Sequence, residues 1–183
     1  MKKIKILSLL FCVVMLVAAC HDDEEGPIIP QPREQVGRTV LVYIVGDNGV
    51  NELSDLFKTN FEDMKEGMKE VDYSKCNLVV YSEMVNDVPR LVSLKKQNGK
   101  VVADTLFTYS EQNPLAKEVM SSVISQTVSY FPADSYGFVF LSHSSSWVPA
   151  TNDANSRSIG YYRRTQMNIP DFHDVLLSSF PRP

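Results

Sequence analysis

Residues 39–45 read Thr-Val-Leu-Val-Tyr-Ile-Val, and residues 136–142 read Tyr-Gly-Phe-Val-Phe-Leu-Ser. Both runs are continuously apolar and rich in β-branched or aromatic residues. A strand with one wet face would alternate, so unbroken runs of this kind mark strands covered on both faces, as in a parallel sheet. Asn77–Glu83 (NLVVYSE) is a third such run. Between the first and third, Asn51 to about Val71 carries Leu53, Leu56, Phe57, Phe61, Met64 and Met68 at spacings of three and four, the period of a helix with one apolar stripe. Pro114–Tyr130 predicts a second helix, with Pro near its first turn and Leu115, Val119, Val123, Ile124 and Val128 on one side. Pro170–Phe180 predicts a third. Pro89–Leu94 and Val101–Phe107 flank Gln97-Asn98-Gly99, and Asn-Gly favours a type I′ hairpin turn. From His143 to about Met167 the chain reads as a polar loop, within which Ile159–Tyr162 has the makings of a short strand.

This is α/β alternation without an internal repeat. Right-handed crossovers make such strands parallel and put helices on both faces. Ligand and catalytic groups in these sheets gather at the carboxyl ends of the strands. Asp47, Glu83 and His143 all fall at such ends.

Composition sets the outer bounds. The 183 residues are 44% hydrophobic and 10% aromatic, enough for one globular core. Lys and Arg number 18 against 22 Asp and Glu. With no basic run longer than Arg163-Arg164, binding of nucleic acid or anionic lipid by charge is excluded. The three cysteines are Cys12, Cys20 and Cys76. Removal of an export segment and lipidation at Cys20 leave one thiol, so neither an internal disulfide nor a Cys/His zinc cluster is expected, and the metal expectation from the residues is none.

That export segment is residues 1–19. Lys2, Lys3 and Lys5 precede an apolar run, Ile6–Val17, too short for a comfortable transmembrane helix. Val-Ala-Ala-Cys at 17–20 resembles a bacterial lipobox, which makes Cys20 the lipidation site. Residues 20–37, with Asp22, Asp23, Glu24, Glu25 and three prolines, are too charged and Pro-rich to bury a core and are expected to be a tether. The acidic cluster also resembles the surface-export signal of Bacteroidetes lipoproteins. The expected location is the cell envelope, in the outer membrane and facing outward, and residues 38–183 are the expected folded domain.

His143 follows an apolar strand and precedes Ser144-Ser145-Ser146-Trp147. Position alone admits a general base or an imidazole that caps the strand by bonding backbone, and favours the second. Asp47 and Asn48 line the cleft or form a turn. Trp147 is a substrate platform or a loop anchor.

Several segments resemble the clostripain family of cysteine peptidases: RTVLVYIVGDN at 38–48, Glu62-Asp63-Met64, NLVVYSE at 77–83, FPAD and Tyr-Gly at 131–137, FLSHSSSWVP at 140–149, RSIG at 157–160 and MNIPD at 167–171. The resemblance implies a caspase-like three-layer sandwich with a mainly parallel central sheet. It matches His143 to the family's catalytic histidine and Ser144 to the residue whose backbone N–H faces the oxyanion. Ser144 and Ser146 stand where glycines are common. The family's nucleophilic cysteine closes the strand after the third helix, so this chain is expected to stop short of it. Cys76, at the beginning of a strand, lies at the wrong edge and reads as a small buried hydrophobe. The resemblance further implies cleavage after Arg or Lys, protein or peptide substrates, membrane attachment through the lipid, self-processing at Arg157 and, as in some relatives, calcium. The competing expectation is a surface lipoprotein that uses the same scaffold for binding or adhesion without catalysis.

Overall fold

The computed structural model describes residues 30–49, 51–144 and 158–182. Cys20, Trp147 and Arg157 lie outside these. The elements in chain order are β1 (Val36–Val45), α1 (Asn51–Gly67) with a 3-10 turn at Met68–Glu70, β2 (Cys76–Glu83), β3 (Arg90–Gln97), β4 (Lys100–Thr108), α2 (Lys117–Tyr130), β5 (Ala133–Ser142), β6 (Ser158–Tyr162), β7 (Thr165–Asn168) and α3 (Ile169–Ser179).

The three runs that read as buried strands form the middle and one edge of a five-stranded sheet of order β4-β3-β2-β1-β5. β1 is parallel to both neighbours, with Leu41 opposite Val79 and Phe138. β3 and β4 add an antiparallel hairpin at the far edge. Its turn residues Asn98 and Gly99 have φ of +50° and +78°, as a type I′ turn requires. Among the described residues, β5 is paired on one side only, so the run at 136–142 expected to be buried is not: its side chains are half-buried or exposed, with Val139 42% exposed.

Each sheet face has its own cover. Leu41, Tyr43, Val79 and Tyr81 pack under α2 and α3 through Met120, Ile124, Phe172 and Val175. Val42, Ile44 and Val80 pack under α1 through Phe57. Adjacent residues of β1 thus feed opposite layers, which is why its sequence shows no alternation. Among the described residues, no helix is long and apolar enough to cross a membrane.

Three details differ from the sequence expectation. α1 ends at Gly67 rather than near Val71, because the chain tightens into the 3-10 turn and is extended by Val71 (φ −83°, ψ 140°). α2 starts at Lys117 rather than Pro114, because Asn113 Oδ1 accepts the Leu115 N–H at 3.0 Å and holds a turn there first. Chain contacts begin before Arg38: Arg33 lies over the Phe131 ring at 4.8 Å and its guanidinium donates to Ser93 Oγ at 2.7 Å.

The larger correction concerns the expected polar loop from His143 to Met167. Its second half is the β6–β7 hairpin, with Ile159, Tyr162 and Met167 buried against the α2 side of the sheet. Strict alternation would turn Ile159 and Tyr162 to opposite faces. A register shift between Ile159 and Tyr161 puts an extra residue, Gly160, into β6, and both side chains face inward. Gly160 has φ +84°, and a Cβ there would stand 2.8 Å from Leu115 Cδ2 and 2.9 Å from Phe140 Cζ. Only glycine fits both demands.

Candidate active site

Val45 is opposite Glu83 on one side and Ser142 on the other, so β2, β1 and β5 end in one row. His143 and Asp47 lie just past that row, and His143 is exposed. The ends of β1 and β2 are kept close by Gly46, whose N–H donates to the Glu83 carbonyl at 2.7 Å. A Cβ on Gly46 would stand 3.2 Å from that carbonyl and 3.3 Å from Phe57. Ser54 of α1 tightens the same corner: its hydroxyl donates to the Gly46 carbonyl at 3.1 Å and accepts the Val85 N–H at 3.0 Å.

Asp47 forms the expected turn and also holds the hairpin. Its Oδ1 accepts the Gly49 N–H at 3.1 Å, which makes the turn. Its Oδ2 accepts from Arg163 Nε at 2.7 Å, and the Arg163 N–H donates to its carbonyl at 2.9 Å. The other end of the guanidinium pairs with Glu111. Arg163 is the first turn residue of the β6–β7 hairpin, with φ +52°. Its grip therefore clamps the hairpin onto the carboxyl edge of the sheet. The two acids hold the guanidinium protonated beyond its ordinary range.

Glu83 is the buried charge of the site, 2% exposed, and its Oε2 has no hydrogen-bond partner among the described residues. Burial pushes its carboxyl up to about 7, and the Asp47 carboxylate adds to the rise. The Arg163 charge and a bond from the Asp47 backbone oppose it. Tyr162 is pushed up to about 12, first by burial and then by Glu83.

The hairpin also reaches the end of β5. The Tyr161 N–H donates to Ser142 Oγ at 3.1 Å. The Tyr161 ring meets the His143 imidazole edge to face, 5.3 Å between centroids at 63°. His143, Asp47 and Glu83 are thus brought to one edge, as expected, with exposed Ser144 next to His143 and half-buried Asn48 next to Asp47. Cys76 begins β2 at the opposite edge and is half-buried rather than buried; its Sγ lies 3.7 Å from the Asp72 carbonyl.

Arg163, Glu111 and Tyr161 were not singled out as site residues by the sequence. The available signal was Gly160 within the short strand-like run Ile159–Tyr162. Among the described residues, no group of three or more His, Cys, Asp or Glu side chains is placed to hold a metal ion. Asp47 and Glu111 are engaged by Arg163 instead. The described residues at the site do not fit a calcium ion.

The sequence model of the Clostripain family matches residues 42–181, which include both strand ends and the hairpin. This chain belongs to the clostripain family. A secreted C11 cysteine protease from Bacteroides thetaiotaomicron, solved with an irreversible peptide inhibitor, is 40% identical with a TM-score of 0.67; the match covers 80% of this chain and 40% of that one. A B. fragilis cysteine protease is 41% identical with a TM-score of 0.57, over 65% of this chain and 98% of that one. An inactive zymogen C11 protease from Parabacteroides distasonis is 34% identical with a TM-score of 0.57, over 64% of this chain and 34% of that one. The chain thus spans less than half the length of the first and third of these clostripain relatives. A search of curated proteins returns no match. The caspase-like fold expected from the sequence holds for the clostripain domain described here.

Proposed function

We propose that this chain supplies the general-base half of a clostripain-type cysteine endopeptidase that cleaves after Arg or Lys, with His143 as the base. The observation that carries the reading is the place of His143: it ends β5, in line with Asp47 and Glu83, beside an outer strand edge that pairs with nothing among the described residues. A further strand laid along that edge would end next to the imidazole. A cysteine closing it would lose its proton to His143, attack the substrate carbonyl as thiolate, and form an acyl-enzyme. The same imidazolium would return the proton to the departing amine. The Ser144 backbone N–H, next to His143 and exposed, would donate to the oxyanion.

Two finer proposals accompany this one. The first is maturation by cleavage after Arg157. Of the arginines in this segment, Arg163 is committed to Asp47 and Glu111 and Arg164 sits in a tight turn, which leaves Arg157 as the favoured site. The second is attachment to the outer membrane through lipid on Cys20, for which the Val-Ala-Ala-Cys run is the support; Cys20→Ser should release the protein from membranes.

The test of the central reading uses the full-length protein and an Arg or Lys ester. His143→Ala should lower turnover by several orders of magnitude, because an unactivated thiol is mostly protonated at neutral pH. Turnover within tenfold of wild type would overturn the assignment.

A further inference from the structure

The β6–β7 hairpin is tied to the carboxyl edge at two points, at the ends of the adjacent strands β1 and β5. One tie is Arg163 on Asp47; the other is the Tyr161 N–H on Ser142 Oγ. Between them the bulge at Gly160 sends Ile159 and Tyr162 into the core and leaves Tyr161, half-buried, turned toward the end of β5. Among the described residues, the aromatic ring that meets His143 is that of Tyr161, at 5.3 Å and 63°. This is the edge-to-face geometry that aromatic pairs favour. His143 is exposed at the end of a strand, so the strand alone leaves its χ angles free. A ring standing across one face of the imidazole removes part of that freedom.

We infer that Tyr161 is a positioning residue: its ring, presented by the Gly160 bulge and clamped by the hairpin ties, holds the His143 imidazole in one orientation for proton transfer. The inference rests on the proposed role of His143. A base that must reach a thiol within hydrogen-bond distance is sensitive to small rotations. The contact is made by the ring, so the phenol hydroxyl plays no part. Specificity is untouched, because Tyr161 acts on the base and not on the substrate.

The experiment measures kcat and KM of the full-length peptidase on an Arg ester for Tyr161→Phe, Tyr161→Leu and His143→Ala. In parallel, the imidazole carbon-bound proton resonances are recorded by NMR in enzyme labelled at histidine, with the His143 signal assigned by its loss in His143→Ala. Tyr161→Phe should keep kcat within about twofold and keep the ring-current displacement of the His143 signal. Tyr161→Leu should lower kcat about tenfold, the factor that one aromatic pair is worth, with KM within about twofold and the displacement lost. Equal kcat in wild type and Tyr161→Leu, with His143→Ala inactive, would overturn the positioning role while sparing the peptidase reading. Loss of kcat in Tyr161→Phe would also overturn it, since the hydroxyl would then matter. So would a raised KM at unchanged kcat in Tyr161→Leu. An active His143→Ala would instead overturn the reading beneath it.

Discussion

The two edges of the central sheet are both polar, yet they are built to different ends. At the amino edge the polar groups close on one another. Thr39 Oγ1 donates to the Phe131 carbonyl at 3.0 Å and accepts from Asn77 Nδ2 at 3.1 Å, while Ser135 Oγ donates to the Gly37 carbonyl at 3.0 Å. At the carboxyl edge a buried carboxylic acid has an unpartnered oxygen, two further acids compete for one arginine, and an imidazole stands exposed. Satisfied polar groups lock strands in register; unsatisfied, mutually perturbing ones are a cost that folded chains keep where chemistry is done. Position in the sheet, more than residue type, separates closed polar networks from strained ones here. Cys76 illustrates it: the single described thiol sits at the amino edge, its Sγ 3.7 Å from the Asp72 carbonyl.

The largest way to break the carboxyl edge without touching its charges is Gly160→Ala. The new methyl meets Leu115 and Phe140 inside 3 Å at a left-handed φ, so the hairpin must shift. Urea unfolding should show a loss on the order of 3 kcal/mol. A loss below about 1 kcal/mol would mean that the bulge does not hold the hairpin.

Glu83→Gln sharpens the comparison through pH. The folded carboxyl titrates at about 7 against an ordinary 4.5, so the folded state binds the proton more tightly and ionisation of this group destabilises it. Its contribution is fully favourable below about 4.5, declines as pH rises, and is fully lost above about 7. The stability of Glu83→Gln relative to wild type should therefore rise across that window, by about 3 kcal/mol, and stay level above it. A difference that does not change with pH would remove Glu83 as the strained group of this edge.

The matching change at the amino edge is Thr39→Val, which keeps the shape and deletes the hydroxyl. It leaves the Phe131 carbonyl and Asn77 Nδ2 without their buried partner and should cost about 1.5 kcal/mol of stability. Turnover by the full-length enzyme should be unaffected. A fall in kcat with the protein still folded would show that the amino edge shares in catalysis.

The central sheet was legible in the sequence for a plain reason. A strand covered on both faces needs an unbroken apolar run, and residues 40–45 of β1 and 78–81 of β2 are such runs and are covered. β5 is apolar from Phe138 to Leu141 yet holds no fully buried residue, because it lies at the edge of the described sheet. Asn98-Gly99 announced its turn because positive φ at both positions selects those residues. His143 and Asp47 could be placed at the functional edge because an apolar run stops just before each. The hairpin was harder. β6 and β7 are five and four residues long, the bulge at Gly160 breaks the period of two, and the turn gives its positive φ to Arg163, a residue that carries no turn signal. Glu111 lies in a polar stretch 52 residues from the arginine it pairs with, a distance no local pattern spans. Tyr161 reads as one more aromatic of a short strand until the bulge turns it toward His143.

The central claim, that chemistry belongs to the carboxyl edge and stability to the amino edge, is tested most directly by comparing one residue from each. Full-length enzyme carrying His143→Ala or Cys76→Ser is assayed on an Arg ester under identical conditions, with folding checked by thermal melt. His143→Ala should lose several orders of magnitude in kcat at an unchanged melting temperature, and Cys76→Ser should retain wild-type kcat. Activity retained by His143→Ala, or abolished by Cys76→Ser in a folded protein, would contradict the claim.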